Sequence, residues 1–180
     1  VVLTTPSRPN ALEEKLSEVG WRTAELEATN HAFAKMVSGA HKRVIIMTPF
    51  LDVAGAQWLT ELFSSVRAGV QCILILRLRT LEDSRRKDYP IGYDMISSWL
   101  KDKCINVFNY SIPKFANTGR ETFHAKVILC DHDTAYVGSS NMTVASMDYS
   151  MEMGVTIRGR AAGDVAVVLE AVLKAATKWI

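Results

Sequence analysis

Two apolar, β-branched runs, "RVIIMTPFL" at residues 43 to 51 and "VQCILILRL" at residues 70 to 78, bracket a stretch of helical periodicity. Each run reads as a buried strand. Between them, from about Gly55 to Arg67, Trp58, Leu59, Leu62 and Phe63 fall on one face, and Ala68-Gly69 supplies a stop. Strand, helix and strand in that order require a right-handed parallel crossover, which places the chain among α/β folds.

The rest of the chain extends this pattern. Residues 79 to 92, "RTLEDSRRKDYPIG", form a long charged connection, and a helix is expected near 93 to 102, where Met95, Ile96, Trp99 and Leu100 recur. A short strand from Ile105 to Tyr110 leads to the polar loop "SIPKFANTGRE". Three strand candidates follow in "TFHAKVILCD", "TAYVGSS" and "MEMGVTIRG". The last twenty residues read as one helix, with Val165, Val168, Leu169, Val172, Leu173, Ala176 and Trp179 along one stripe. Upstream, residues 1 to 9 read as an apolar start followed by irregular chain. A short helix is capped by Asn10 with Glu13 three positions on, and a firmer helix runs from about Thr23 to Gly39 through Leu26, Phe33 and Val37. The expectation is an α/β fold with a mixed, largely parallel sheet sandwiched between helices. Residues 1–39 would be a helical lead-in packed on a domain spanning 40–180.

With 180 residues, 48% of them hydrophobic, the chain can bury one substantial core. Its net charge of +2 gives a mild lean toward anionic partners. Cys72, Cys104 and Cys130 are an odd number in strand-like surroundings, which fits buried thiols in a reducing compartment better than a disulfide framework. No apolar run approaches the ~20 residues of a membrane span, and no signal sequence is visible, so a cytoplasmic protein without a membrane partner is expected.

The chemistry is concentrated in "FHAKVILCD", residues 123 to 131. Side chains alternate along a strand, so His124 and Lys126 share a face, while Ala125 and Val127 point the other way. An imidazole beside an ammonium suits a core poorly, because either group buried without a partner costs several kcal/mol in rough terms. It suits a phosphate well: lysine neutralises charge and histidine serves as nucleophile or proton donor. Asp131 follows, then Gly138-Ser139-Ser140-Asn141, then Glu152 eleven residues beyond Asn141.

Written out as H-x-K-x4-D-x6-G-S-x-N, this pattern resembles the phospholipase D superfamily, and the strand and helix order of residues 40 to 180 looks like that family's layered fold. The resemblance implies that His124 attacks phosphorus to form a phosphohistidine without a metal or other cofactor. It implies that Lys126, Ser139 and Asn141 hold the non-bridging oxygens, that Glu152 accepts a hydrogen bond from the His124 ring, and that Asp131 supports the site. The family's reaction centre uses two such motifs and this chain carries one, since His31 and His41 lack the lysine two positions on. A homodimer sharing one phosphate between two copies of His124 supplies the second; a degenerate motif in an upstream segment is the alternative.

The resemblance therefore implies a phosphodiesterase, foremost a nuclease acting on DNA or RNA. Arg85, Arg86 and Lys87, after Arg77 and Arg79, and Lys114 with Arg120 before His124, are candidates to track a nucleic-acid backbone. Two alternatives are a non-catalytic nucleic-acid-binding or assembly component of a larger bacterial complex, such as an anti-phage defence system, and a phospholipase or phosphatidyltransferase. The last would be expected to carry two motifs and apolar lids. His132 reads as part of a solvated turn. Asp131, His132 and Cys130 do not make a zinc site, which wants four well-spaced ligands. Met142, Met147, Met151 and Met153 read as core or interface filling.

Overall fold

The computed structural model describes residues 1–19, 26–78, 90–114 and 119–180. In chain order its first elements are β1 (Val2–Thr4), α1 (Ala11–Glu18), β2 (Glu27–Ala28), α2 (Thr29–Gly39), β3 (Arg43–Thr48), α3 (Val53–Ser64), β4 (Gln71–Leu76) and α4 (Ile91–Asp102). There follow β5 (Asn106–Asn109), β6 (Ile112–Pro113), β7 (Arg120–Glu121), β8 (Lys126–Cys130), β9 (Thr134–Gly138), a π-helical turn at Ala145–Tyr149, β10 (Glu152–Arg158), α5 (Arg160–Ala175) and β11 (Thr177–Lys178). Among the described residues, nine strands form one mixed sheet in the order β11-β5-β4-β3-β8-β9-β10-β1-β2, and β6 and β7 form a separate hairpin.

The strand–helix–strand reading holds. β3 lies parallel to β4, from Arg43 opposite Gln71 to Thr48 opposite Leu76, and β4 lies parallel to β5. On its other side β3 takes β8 antiparallel, with Met47 opposite Val127. Because side chains alternate, Val44 and Ile46 face one layer and Ile45 and Met47 the other. The first layer is α2, α3 and α4, through residues such as Phe33, Val37, Leu59, Leu62, Ile96 and Leu100. The second is α5, through Ala162, Ala166 and Leu169. The expected sandwich of helices around a mixed sheet is thus present. The sheet is less parallel than expected: parallel pairing is confined to β3–β4–β5 and β1–β2, and the remaining pairs are antiparallel, because β8, β9 and β10 follow one another without a crossover α-helix between them.

Several elements differ from the sequence reading. The apolar start, to which no element was assigned, forms a strand at Val2–Thr4, pairing antiparallel with β10 at Leu3 opposite Met153. Helix α2 starts at Thr29, because Glu27 and Ala28 are extended and pair with β1; the Thr23 start lies outside the described residues. The C-terminal helix stops at Ala175, and Thr177 and Lys178 return to the sheet as a strand beside β5. Val168, expected on the core stripe, is 61% exposed, and the stripe facing the sheet is Ala162, Ala166 and Leu169, with Val165, Val172 and Leu173 packed beside it.

Asn10 caps α1 as expected, accepting from the Glu13 backbone N–H at 2.8 Å, while the Glu13 carboxylate pairs with Arg8. Cys130 is buried and its thiol is pushed up to about 12, by burial first and then by the carboxylates of Asp131 and Asp133; Cys104 is exposed instead. No helix among the described residues is long and apolar enough to cross a membrane.

Candidate active site

Parallel strands present a crevice beyond their carboxyl ends, and here the pairing register fills that edge with polar groups. Lys126 opens β8 opposite Gly138, the last residue of β9, and Glu152 opens β10 opposite Thr4, the last residue of β1. One end of the sheet therefore carries, in spatial order, Arg77 after β4, Phe50 after β3, His124 and Lys126, Ser139 to Asn141, Glu152, and Thr4.

His124 is exposed and precedes β8, whereas Lys126 is only 5% exposed. The lysine Nζ donates to the His124 carbonyl oxygen at 2.8 Å and lies 2.9 Å from Nδ1 and 3.3 Å from Nε2 of the ring. Burial holds the ammonium below the usual lysine range; the positive charge of Arg77 pushes the same way and the Glu152 carboxylate opposes. The imidazole meets the edge of Phe50, with ring centroids 5.8 Å apart and planes at 75°, and the Arg77 guanidinium lies over Phe50 at 4.6 Å from the ring centroid. Phe50 was not legible as a site residue, since a phenylalanine at a strand end carries no chemical signal. Arg77 stood out only as one of several basic residues.

Ser139 donates its hydroxyl to the Glu152 carboxylate and accepts from the Met153 backbone N–H at 3.1 Å. This corrects the expected hydrogen bond from the His124 ring to Glu152: among the described residues the carboxylate is bonded to Ser139, and the ring nitrogens face Lys126. The reason is register. Gly138 opposite Gly154 brings Ser139, the residue after β9, beside the start of β10.

The glycine is required there. A Cβ on Gly138 would stand 2.1 Å from the Tyr136 hydroxyl and 2.8 Å from the Gly154 Cα. Asn141 donates its backbone N–H to Ser146 Oγ at 3.1 Å, and its side-chain Oδ1 is buried without a hydrogen-bond partner among the described residues. Its loop is clamped by Asp52, whose two carboxylate oxygens each accept at 2.8 Å, one from the Gly55 N–H at the start of α3 and one from the Val144 N–H.

Asp131 is at the opposite end of β8. It accepts from the backbone N–H groups of His41, Lys42 and Arg43 at 2.7, 2.7 and 2.9 Å. Burial by itself would raise its pKa, but the three amide donors outweigh it and hold the carboxyl below its usual range. Its support is architectural, since it ties the α2–β3 turn to the β8–β9 turn a full strand length from His124. His132 joins that turn, with Nε2 2.7 Å from Arg43 Nη2.

Lys114 is exposed at the β6–β7 hairpin, and Arg120 donates its Nε to Ser111 Oγ at 2.8 Å. The hairpin is tied toward His124 by Tyr110, which bonds Glu121 and stacks on Phe123 at 6.2 Å. Arg79, Arg85, Arg86 and Lys87 lie outside the described residues.

An imidazole, a buried ammonium, a hydroxyl with its carboxylate, and an amide converge on one edge. Such a set can hold a tetrahedral anion and attack its centre. Comparison with known proteins agrees: the family described as "Cardiolipin synthase, PLD-like domain" matches residues 33–175. The chain belongs to the phospholipase D superfamily. It is 32% identical over 143 residues to cardiolipin synthase A of Pseudomonas aeruginosa, covering 77% of this chain and 26% of that protein. It thus spans about a quarter of the length of that relative.

Among solved structures of the phospholipase D fold, NucT from Helicobacter pylori superposes with a TM-score of 0.65 at 14% identity, covering 82% of this chain and 89% of NucT. Nuc from Salmonella typhimurium, a phospholipase D family member, gives 0.58 at 15% identity, covering 82% of this chain and 88% of Nuc.

Proposed function

We propose that this phospholipase D superfamily chain is a metal-independent nuclease that works as a homodimer. The observation that carries the reading is the single cluster of His124, Lys126, Ser139, Asn141 and Glu152 at one sheet edge, in a chain with one motif. Likeness of fold to NucT and Nuc, each superposing over 82% of this chain, also supports it.

In this reading a neutral His124 ring nitrogen attacks phosphorus. A P–N bond forms as the P–O bond to the leaving strand breaks, and His124 of the partner subunit, protonated, gives its proton to the departing oxygen. Water then attacks phosphorus, the P–N bond breaks, and the proton from water returns to the imidazole that had acted as the acid. Lys126 and the Asn141 amide hold the non-bridging oxygens as charge develops on them. Ser139 donates its hydroxyl to Glu152, so it braces that carboxylate rather than holding a phosphate oxygen as expected.

The deciding experiment is incubation with single- and double-stranded DNA and RNA in EDTA, with sedimentation at the assay concentration. Cleavage that vanishes in His124→Ala and accompanies a dimer is the expected result. Salt-sensitive binding without turnover would make the chain a binding module instead, and transfer of a phosphatidyl group would make it a lipid enzyme. Activity from a monomer would remove the shared site.

A further inference from the structure

Past Ser140 and Asn141 along the same sheet edge lies a cavity of about 440 Å³ that the phosphate chemistry leaves unused. It adjoins the reacting groups through Asn141, which lines it together with Ser140. Its volume falls within the range of about 300–1,000 Å³ typical of small-molecule sites.

The lining has a definite chemical character. Thr4, Thr29, Asn30 and Ser146 contribute hydroxyl and amide groups, and no lysine, arginine or histidine takes part among the described residues. The one charged side chain is the carboxylate of Asp148. A second phosphate would be repelled there, and Leu3, Ala28 and Met147 supply apolar contact beside the hydroxyls. One wall is aromatic. Trp58 is stacked on Phe33 with centroids 5.5 Å apart and planes at 14°, and Phe33, 1% exposed, packs edge-on against Tyr136 at 4.6 Å. That three-ring stack holds the indole rigidly at the cavity.

We propose that this cavity is the subsite for the nucleoside next to the scissile phosphate, with Trp58 forming its aromatic wall and Asn30 and Asp148 reading the base edge. The proposal rests on the nuclease reading and adds the part of the substrate that sets where cleavage falls. A flat, neutral, hydrogen-bonding ring matches an aromatic wall surrounded by amide and hydroxyl groups. A carboxylate matches the exocyclic amino group of cytosine, adenine or guanine, which thymine and uracil lack.

The test is an abasic scan. Single-stranded oligonucleotides carrying one tetrahydrofuran residue at successive positions are cleaved by the wild-type dimer, and the rate at each linkage is read on a gel. Cleavage should fall roughly tenfold at the linkage on one side of the missing base, in line with the loss of one stacked base. Asp148→Asn should separately narrow the preference for cytosine- over thymine-flanked linkages. Equal cleavage at abasic and normal linkages would overturn the subsite while leaving the nuclease reading intact. Failure to cut any oligonucleotide, with bis(4-nitrophenyl) phosphate still hydrolysed, would overturn both.

Discussion

The Nζ atom of Lys126 lies 2.9 Å from Nδ1 of His124 and donates to the same residue's carbonyl oxygen at 2.8 Å. A buried cation is thereby held against the imidazole it would assist. Lys126→Met should lower kcat by about 10²–10³, the usual loss for one oxyanion-holding donor. It should not unfold the protein. Burial depresses the folded-state pKa of Lys126, so the charged form disfavours folding below that value, and the penalty is relieved as pH rises through it toward the unfolded value. Lys126→Met should therefore raise the melting temperature at pH 7, by about 2–4 °C per kcal/mol of penalty removed. That advantage should shrink by pH 10, which melting curves of both proteins at the two pH values check.

Asp131 should behave oppositely. Asp131→Ala removes an anion that accepts from three backbone amides, and should cost roughly 2–3 kcal/mol, or about 5–10 °C in melting temperature. Activity per folded molecule should persist. Because the folded-state pKa of Asp131 is depressed, its contribution is present above the unfolded value of 3.8 and lost as pH falls through the lower folded one. Acid-unfolding curves of the wild type and the variant should thus converge below pH 3.8.

Ser139 and Glu152 should act as a unit. Ser139→Ala strips the 8%-exposed Glu152 carboxylate of its hydroxyl donor and should cost about 1–3 kcal/mol of stability. Glu152→Gln in the Ser139→Ala background should cost less than in the wild type. Denaturant titration of the four proteins gives the coupling, expected at about 0.5–3 kcal/mol.

Phe50 should matter to turnover although it has no reactive group. Phe50→Leu keeps most of the volume and removes the edge contact to His124 and the face beneath Arg77, worth about 0.5–1.5 kcal/mol. A loss of up to about tenfold is expected, falling on kcat more than KM, because the ring is oriented rather than the substrate held.

In the proposed dimer one His124 acts as nucleophile and the other as acid, which requires a bell-shaped rate profile. Steady-state rates from pH 5 to 9 read it directly, and a flat profile would count against the shared site.

Much of this was legible from local pattern. The runs from Arg43 and Val70 with the Trp58–Phe63 face specified a parallel crossover, and H-x-K with Gly138-Ser139 and Asn141 marked the reacting edge. A steric account now joins the motif: Gly138 is glycine because Tyr136 folds over it. Distant pairing was not legible. Val2–Thr4 becomes a strand only because β10, about 150 residues away, offers it a ladder, and Thr177 and Lys178 leave the helical pattern only because β5 offers an edge.

By itself the sequence determined the central strands and the helices packed on them, and which residue types could do phosphoryl chemistry, since both depend on side chains close together along the chain. Tertiary structure alone decided the partners: Glu152 with Ser139 rather than His124, Asp131 with three amides some ninety residues upstream, and Phe50 between Arg77 and His124. Those contacts depend on strand register and on which strand ends share an edge. A one-residue slip of β8, β9 or β10 would turn each group to the other face while leaving every local pattern unchanged.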